Sequence, residues 1–209
     1  MTTTPTTRPA AAPAGEARIP AIPITGLYGA LVKRFAGRMF GSVPTSLGVM
    51  WHHLPALKAS MSYGQRLQRW NECDETLKTF AHMAVASLVG CSWCLDFNYF
   101  MAKDKGLDLD KAREVPRWRD STVFSPLERQ VLEYAEAASQ TPPTVTDEMV
   151  APLLAALGPA GLLEMTNVIG FANLTTRSNT ALGIESEGFS AACGLKPLAE
   201  RPGVVPSRP

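Results

Sequence analysis

The stretch TLKTFAHMAVASLVGCSWC, residues 76–94, decides the fold of this chain. Its first part carries apolar side chains at helical spacing, and Asp74 stands just before it, where a helix N-cap is expected. Gly90 then interrupts the helix. A second helical run follows and should end at Gly106. The stretch therefore predicts two helices that meet at the sequence Cys91-Ser92-Trp93-Cys94.

Cys91 and Cys94 carry the most distinctive chemistry of the sequence. Two thiols three positions apart can close a disulfide or act as a redox pair. Both sulfurs should lie in the first turn of the second helix, where the positive end of the helix dipole favours the reactive thiolate. The same spacing suits two buried cysteines that serve as small apolar residues, or one half of a metal site. The pair alone leaves these interpretations open.

Helix signals recur through the rest of the chain. Ser125-Pro126-Leu127-Glu128 combines a serine N-cap, a proline in the first turn and a glutamate that completes a capping box. Thr146 should cap a further helix that ends at Gly158, and residues 162–182 should form a last long helix. No run of residues alternates apolar and polar side chains as a strand does. These signals predict an all-α fold.

The two ends of the chain differ in composition from its body. Residues 1–23 are rich in Thr, Pro and Ala, which cannot build a core, and we predict that they are disordered. Residues 196–209 carry four prolines and should form an extended tail. Residues 24–195 should fold as a single helical domain. Its first helix has an apolar face formed by Leu27, Leu31, Phe35 and Phe40.

Composition excludes several classes of function. The chain has 20 basic and 19 acidic residues, so we expect no nucleic-acid partner. Four cysteines in 209 residues are too few for a disulfide-built secreted scaffold, and the first residues do not resemble a secretory signal. Residues 80–102 carry few charges, but Gly90 should break them into a helical hairpin instead of a membrane span. We expect a soluble cytoplasmic protein with no membrane partner, no cofactor and no metal.

Three segments of the chain carry a family likeness. They are residues 76–94 with the cysteine pair, residues 124–148 with the capping box, and residues 169–184 with Thr176-Arg177-Ser178-Asn179. Their order and spacing resemble the carboxymuconolactone decarboxylase-like superfamily, and within it the alkylhydroperoxidase D-like branch. The likeness extends over roughly residues 50–185.

The resemblance implies an all-helical domain that assembles into homo-oligomers. In the peroxidase branch a glutamate and a histidine relay a proton away from the attacking sulfur, which reacts with a hydroperoxide. The resemblance assigns the attack to Cys94 and the closing of the disulfide to Cys91, whereas position at the helix terminus favours attack by Cys91. A thioredoxin-like or lipoylated partner then reduces the disulfide. Here the glutamate position holds Thr79 and the histidine position holds Asn98, so the dithiol is present without the relay.

Because the relay is missing, other polar side chains near the pair are candidates for hydrogen bonding or proton transfer at the sulfurs. Asn98 lies one turn after Cys94 and can hydrogen-bond a sulfur or orient a water, but it cannot titrate. Glu75, Asp96 and His82 are candidate substitutes for the relay. Each also has a simpler interpretation: a first-turn carboxylate, a solvated or hydrogen-bonded carboxylate, and a satisfied histidine.

Four further residues receive structural predictions. Cys73 and Cys193 lie outside the motif and should be idle or buried thiols. Arg177 and Asn179 should cap a helix or serve a subunit contact, with a substrate carboxylate bound by Arg177 as the alternative.

Three functions are compatible with the sequence. The first is a peroxidase-like thiol oxidoreductase that cycles Cys91 and Cys94 between dithiol and disulfide, with Asn98 as the third site residue. The second is a non-catalytic redox-sensing or assembly module that keeps the fold without the relay. The third is a decarboxylase-like acid–base enzyme acting on a small carboxylated ring, which the retained cysteine pair disfavours.

Overall fold

A computed structural model describes residues 17–202, and within this range the chain forms helices and no β-strand. The predicted all-α fold is confirmed. In chain order the α-helices are α1 (Gly26–Phe40), α2 (Thr45–Met50), α3 (Leu54–Arg69), α4 (Glu75–Val89), α5 (Ser92–Asp104), α6 (Leu109–Ala112), α7 (Pro126–Ala138), α8 (Asp147–Leu182) and α9 (Phe189–Ala192). Two short 3₁₀ helices cover Trp51–His53 and Val115–Arg117.

The two helices predicted around the cysteine pair are α4 and α5. Asp74 caps α4, because its Oδ1 accepts the N–H of Thr76 at 2.8 Å. At the other end Gly90 takes a φ of 80°, a conformation that suits glycine and turns the chain into α5. Helix α5 ends at Asp104, just before Gly106. Residues 80–102 are therefore divided between two helices, as the sequence analysis predicts.

Helix α7 begins at the predicted capping box. Ser125 Oγ accepts the N–H of Glu128 at 3.3 Å, and Glu128 Oε2 accepts the N–H of Ser125 at 2.6 Å. Lys111 Nζ donates to both carboxylate oxygens of Glu128, at 2.9 and 2.8 Å. Burial works to raise the pKa of Glu128, but the hydrogen bonds from Lys111 and Ser125 outweigh it and lower that pKa overall.

Helix α8 is a long helix with a break inside it. Thr146 caps it, since its Oγ1 accepts the N–H of Met149 at 3.4 Å. Gly158 has φ 69° and ψ 174°, which are non-helical and divide the helix into residues 147–157 and 159–182. The break lies where the sequence predicts a helix end. The second part begins at Pro159, before the predicted residue 162, because proline fits the first turn of a helix.

The core is built around α4, which contacts α5, α7 and α8. Its fully buried side chains are Phe80, Ala81, Met83, Ala84, Val85 and Ala86. Within the described residues, α8 is the helix that is long and apolar enough to cross a membrane by length and composition. Met165 and Ile169 nevertheless place one of its faces in the core, whereas Leu163 and Leu174 leave another face 66% and 52% exposed.

Three of the four residues predicted for the apolar face of α1 point to solvent. Leu27, Leu31 and Phe35 are 91%, 67% and 59% exposed, whereas Gly29 and Ala36 are buried. The helix itself is as predicted, and the fourth residue of the predicted face, Phe40, packs on Phe189 of the body, while Tyr28 stacks on Trp51. An exposed apolar stripe of this size is typical of a contact with another molecule.

Both flanking segments contact the helical body where the structure describes them. The first sixteen residues and the last seven lie outside the described part of the chain. Arg18 donates its backbone N–H to Leu182 O at 2.8 Å, and Ala199 donates its own to Arg113 O at 2.9 Å. Contacts thus begin before residue 24 and continue past residue 195, the limits that the sequence suggests for the folded domain.

Candidate active site

Cys91 and Cys94 are joined by a disulfide, with their Cα atoms 5.3 Å apart. Cys91 is the N-cap of α5, and its Sγ accepts the backbone N–H of Cys94 at 3.2 Å. The backbone N–H of Cys91 donates to Ala86 O at 2.9 Å and so ties the motif to the last turn of α4. The predicted position of both sulfurs at the start of a helix is therefore correct.

Both cysteines are buried. Cys91 is 2% exposed and Cys94 is 1% exposed, and Ala86 lies against the pair from α4. Trp93 and Leu95 pack on the same cluster. A reactant therefore reaches the sulfurs only when part of the covering structure moves.

The segment 184–192 lies against the first turns of α5 and is fastened there by Asp96. The carboxylate of Asp96 accepts the hydroxyl of Ser186 at 2.7 Å and the backbone N–H groups of Phe189 and Ser190 at 2.8 and 3.0 Å. The hydroxyl of Ser190 is a fourth donor. Asp96 is itself 6% exposed. The hydrogen-bonded interpretation of Asp96 holds, because its carboxylate oxygens accept hydrogen bonds from this segment.

Aromatic side chains complete the cover over the motif. Trp93 stacks on Phe97 with ring centroids 4.9 Å apart, and Phe189 meets Trp93 edge-on at 5.8 Å. Phe40 from α1 packs on Phe189 at 5.3 Å. The indole N–H of Trp93 is buried without a hydrogen-bond partner among the described residues. The segment 184–192 thus contacts the motif through Phe189 and through Ser186, whose N–H donates to Ser92 Oγ at 3.0 Å.

Two asparagines reach Cys94 through different atoms. Asn98 Nδ2 donates to the carbonyl oxygen of Cys94 at 2.8 Å, a bond within α5, and not to the sulfur. Asn179, in the last turn of α8, donates its Nδ2–H to Cys94 Sγ at 3.3 Å and is 3% exposed. Sequence reasoning missed this role for Asn179. Only the family-like segment around it gave a signal, because the contact joins residues 85 positions apart.

The positions of the missing relay hold a different set of contacts. Thr79 Oγ1 accepts a hydrogen bond from Lys105 Nζ at 3.3 Å, and Lys105 also pairs with Glu75. Glu75 pairs with Lys78 at 3.2 Å as well, so its carboxylate is engaged by two lysines. Burial, together with the positive charge of Lys105, lowers the pKa of His82 to about 4. His82 is thus neutral at pH 7 and has no proton ready to donate.

The remaining candidates have structural roles. Arg177 Nη2 donates to the carbonyl oxygen of Ser139 at 2.6 Å, at the end of α7, and Arg177 Nε donates to Asn173 Oδ1 at 3.2 Å. These contacts agree with the capping interpretation of Arg177. The thiol of Cys73 donates to Gly161 O at 2.8 Å, and its pKa is raised, chiefly by burial. Cys193 is free and half-buried.

Comparison with known proteins identifies the family. The model of the carboxymuconolactone decarboxylase family matches residues 55–137. The uncharacterized protein YnjA of Escherichia coli strain K12 is 34% identical over 141 residues, which are 66% of this chain and 78% of YnjA. This chain belongs to the carboxymuconolactone decarboxylase family. The predicted resemblance is confirmed, and the matched segment of the family model includes the cysteine pair and the capping box.

Solved structures share the family fold. The debrominase Bmp8, as a cysteine-to-alanine variant in complex with 2,3,4-tribromopyrrole, aligns with a TM-score of 0.72 at 17% identity over 84% of this chain and 95% of its own. A peroxidase-related protein from Silicibacter sp. TM1040 aligns with a TM-score of 0.66 at 17% identity over 78% and 89%. The alkylhydroperoxidase AhpD core protein from Ralstonia eutropha JMP134 aligns with a TM-score of 0.64 at 14% identity over 80% and 92%. At these identities the likeness establishes the fold of the family member described here, and no more.

Proposed function

We propose that this family member is a thiol-dependent oxidoreductase that reduces small hydroperoxides with Cys91 and Cys94. The observation that carries the proposal is the disulfide at the start of α5, with one hydrogen-bond donor directed at each sulfur. Two proteins of the same fold are named as peroxidase-related, which supports the same conclusion. No cofactor is required, because the two thiols supply both electrons.

The proposed cycle has three steps. The thiolate of Cys94 attacks the terminal oxygen of the hydroperoxide, the O–O bond breaks, and the alkoxide takes a proton to leave as an alcohol. The thiolate of Cys91 then attacks the sulfenic acid on Cys94, the S–S bond forms, and hydroxide leaves with a proton as water. A dithiol partner, thioredoxin-like or lipoylated, finally reduces the disulfide and is itself oxidised. Water supplies the protons, since neither asparagine at Cys94 can titrate.

The buried cysteine pair must become accessible before a hydroperoxide can react with it. We propose that the segment 184–192 swings away from α5 and takes Phe189 off Trp93. The segment is held on α5 by Asp96 and on α2 by Glu187, and it is a short helix with flanking turns, so it can detach without unfolding the core around α4. Movement of lids of this kind precedes chemistry in many enzymes.

The function is tested by treating the reduced protein with one equivalent of peroxide and measuring the intact mass. The wild-type chain should lose two hydrogen atoms as the disulfide closes. Cys94→Ser should abolish peroxide consumption, whereas Cys91→Ser should gain one oxygen atom as a trapped sulfenic acid. Cys193→Ser is the matched control, because that thiol lies outside the motif and should leave the rate unchanged. An unchanged rate in Cys94→Ser would refute the proposal.

A redox-sensing or assembly module is the second candidate function. The burial of both cysteines and the absence of titratable groups at the Thr79 and Asn98 positions favour it. A sensor would form the disulfide with peroxide only once and slowly, and it would not turn over with a dithiol reductant. The moles of peroxide consumed per chain in the presence of excess dithiol separate the two functions, because a peroxidase consumes many and a sensor about one. No contact among the described residues of the site favours the decarboxylase-like alternative.

We further propose that the protein is a cytoplasmic homo-oligomer. The exposed stripe of α1, formed by Leu27, Leu31 and Phe35, and the exposed leucines of α8 support self-association. Light scattering after size-exclusion chromatography should give a mass of at least two chains. Phe35→Glu should reduce that mass, and a wild-type protein that elutes as a monomer at micromolar concentration would rule the proposal out.

A further inference from the structure

Asn179 is the one side chain, among the described residues, that donates a hydrogen bond to either sulfur of the pair. Its Nδ2 lies 3.3 Å from Cys94 Sγ, and its own exposure is 3%. The other donor in the site is a backbone group, the N–H of Cys94, which serves Cys91 and would be present with any residue other than proline at position 94. A buried side chain from a different helix is therefore placed on one sulfur and not on the other.

A primary amide can stabilise a negative charge on a neighbouring atom by hydrogen bonding, but it cannot accept or release a proton near neutral pH. Its N–H group binds an ionised sulfur more strongly than a neutral thiol, because hydrogen bonds to charged acceptors are the stronger ones. Burial alone would disfavour the thiolate at a residue as enclosed as Cys94. A donor directed at the sulfur offsets that cost.

We infer that Asn179 is a catalytic residue of the pair: in the reduced protein its amide N–H stabilises the thiolate of Cys94 and so selects Cys94 as the attacking sulfur. The inference rests on the proposed thiol chemistry and adds to it the residue that chooses between the two sulfurs. Sequence position left that choice open, since the helix terminus favoured Cys91. Asn179 adds a side-chain donor on Cys94 that matches the backbone donor on Cys91, and so shifts the choice toward Cys94.

The end of α8 is arranged so that it does not oppose this charge. The carbonyl groups at a helix C-terminus carry partial negative charge, which would repel a thiolate nearby. Arg18 Nη1 donates to Thr180 O at 2.9 Å and to Ala181 O at 2.7 Å, and the backbone N–H of Ile184 donates to Asn179 O at 2.9 Å. The last turn of α8 thus presents an amide N–H to the sulfur while these carbonyl groups are already satisfied.

Two carboxylates near Cys94 are engaged elsewhere, a histidine near it is neutral, and Glu185 in the segment 184–192 is exposed to solvent. Asp96 on α5 is bound to the segment 184–192, and His82 on α4 is neutral at pH 7. Glu187, in that segment, accepts the backbone N–H groups of Thr45 and Ser46. A change at Asn179 should therefore appear in the ionisation of Cys94 itself.

The test is the pH dependence of iodoacetamide alkylation of the fully reduced protein, with Cys91 and Cys94 quantified separately by peptide mass spectrometry. The midpoint of each profile reports the ionisation of that thiol, and the plateau at high pH reports its accessibility. A merely structural role for Asn179 would change the plateau, or the melting temperature, without moving the midpoint.

Asn179→Asp keeps the shape of the side chain and replaces the donor with a carboxylate, and Asn179→Ala removes the donor. Both variants should move the Cys94 midpoint to higher pH and leave Cys91 nearly unmoved. Asn179→Ala should lower the rate of Cys94 alkylation at pH 7 by about tenfold. Asn179→Asp should lower that rate by more, because a negative charge then faces the thiolate. Asn167→Asp, on the same helix and hydrogen-bonded to Tyr63, is the matched control and should move neither midpoint.

The inference is overturned if the Cys94 midpoint is the same in wild type and in both Asn179 variants, or if Cys91 has the lower midpoint in the wild type. Should Asn179→Ala fail to fold, Asn179→Asp carries the test alone. The alkylation profile needs no peroxide, so its outcome is independent of the peroxide experiment. A shifted midpoint in a protein that consumes no peroxide would uphold the role of Asn179 at the thiolate and refute the peroxidase function.

Discussion

Replacing Asp96 with asparagine should open the route to the disulfide. The carboxylate accepts four hydrogen bonds from Ser186, Phe189 and Ser190, and these bonds hold the segment 184–192 on α5. Asparagine keeps the size of the side chain but offers one acceptor oxygen in place of two, and its NH₂ group faces donors. Hydrogen bonds to a charged group contribute about 1.5–3 kcal/mol each, and neighbouring ones are not additive. We therefore expect the detached state to gain about 2 kcal/mol relative to the attached one.

A change of about 2 kcal/mol raises the population of the detached state roughly 30-fold. If detachment limits access, reduction of the disulfide by dithiothreitol should accelerate by the same factor, and so should amide hydrogen exchange in residues 186–192. Rates are measured by alkylating the released thiols and weighing the protein at successive times. Asp110→Asn is the matched control, because the ion pair of Asp110 with Lys196 is exposed and contributes little. Faster exchange in residues 186–192 with an unchanged reduction rate would show that this segment is not the gate.

Two predictions concern stability against pH. The pKa of His82 is lowered to about 4, so the folded state disfavours its protonation. The stability that this histidine allows above the unfolded pKa of about 6.5 is therefore lost as the pH falls toward 4. His82→Gln should remove about 1 kcal/mol of that loss between pH 7 and pH 5, measured by urea unfolding beside the exposed control His52→Gln. The pKa of Glu128 is lowered by Lys111 and the capping box against the effect of burial, so its stabilisation is present above the unfolded pKa and is lost in acid as the pH falls through the folded one. Glu128→Gln should cost about 1 kcal/mol at pH 7 and nothing near pH 2, whereas the exposed Glu133→Gln should cost little at either pH; an equal loss at both pH values would contradict the ionic origin of the effect.

Local signals were sufficient for the elements that build the site. The starts of α4 and α7 and the turn at Gly90 follow from Asp74, the capping box and a glycine, all of which act within a few residues. Helices α2, α3, α6 and α9 were not predicted: α2 and α9 have no side-chain cap, α3 is capped by a histidine, and α6 has only four residues. The exposure of the α1 face could not be read from its periodicity, which locates an apolar face but not its partner.

The contacts that give the site its chemistry join residues that are far apart in the sequence. Asn179 and Cys94 are 85 positions apart, and Asp96 and Ser190 are 94 apart. Neither pair has a spacing that predicts contact, because the contacts exist only once α8 and the segment after it have packed on α4 and α5. Asn98, by contrast, does lie on the face of Cys94, as its spacing predicts. Its amide, however, donates to the carbonyl oxygen of Cys94, four residues earlier in the helix, and not to the sulfur.

Because Thr79 and Asn98 replace the residues of the proton relay, the peroxide reaction should have a different pH profile from that of a relay enzyme. A relay acid and a thiolate impose opposite pH demands and give a bell-shaped rate profile. Among residues 17–202, the side chains that donate hydrogen bonds to Cys94 are Asn98 and Asn179, which do not titrate. The lowered pKa of His82, about 4, means that it has already lost its proton at neutral pH. The ionisation of Cys94 is then the one event that controls the rate at neutral and alkaline pH.

The rate of the first peroxide reaction should therefore rise with pH in a single step and remain level above it. Stopped-flow measurement of the reduced protein from pH 5 to pH 9 distinguishes a step from a bell. Asn98→His restores the histidine that the resemblance assigns to this position and should both raise the rate and add a descending limb, because a histidine with a pKa near 6.5 loses its proton within this range. A bell-shaped profile in the wild-type protein would mean that an unrecognised acid serves the leaving oxygen, and the view of Cys94 as a thiolate held by hydrogen bonds alone would be wrong.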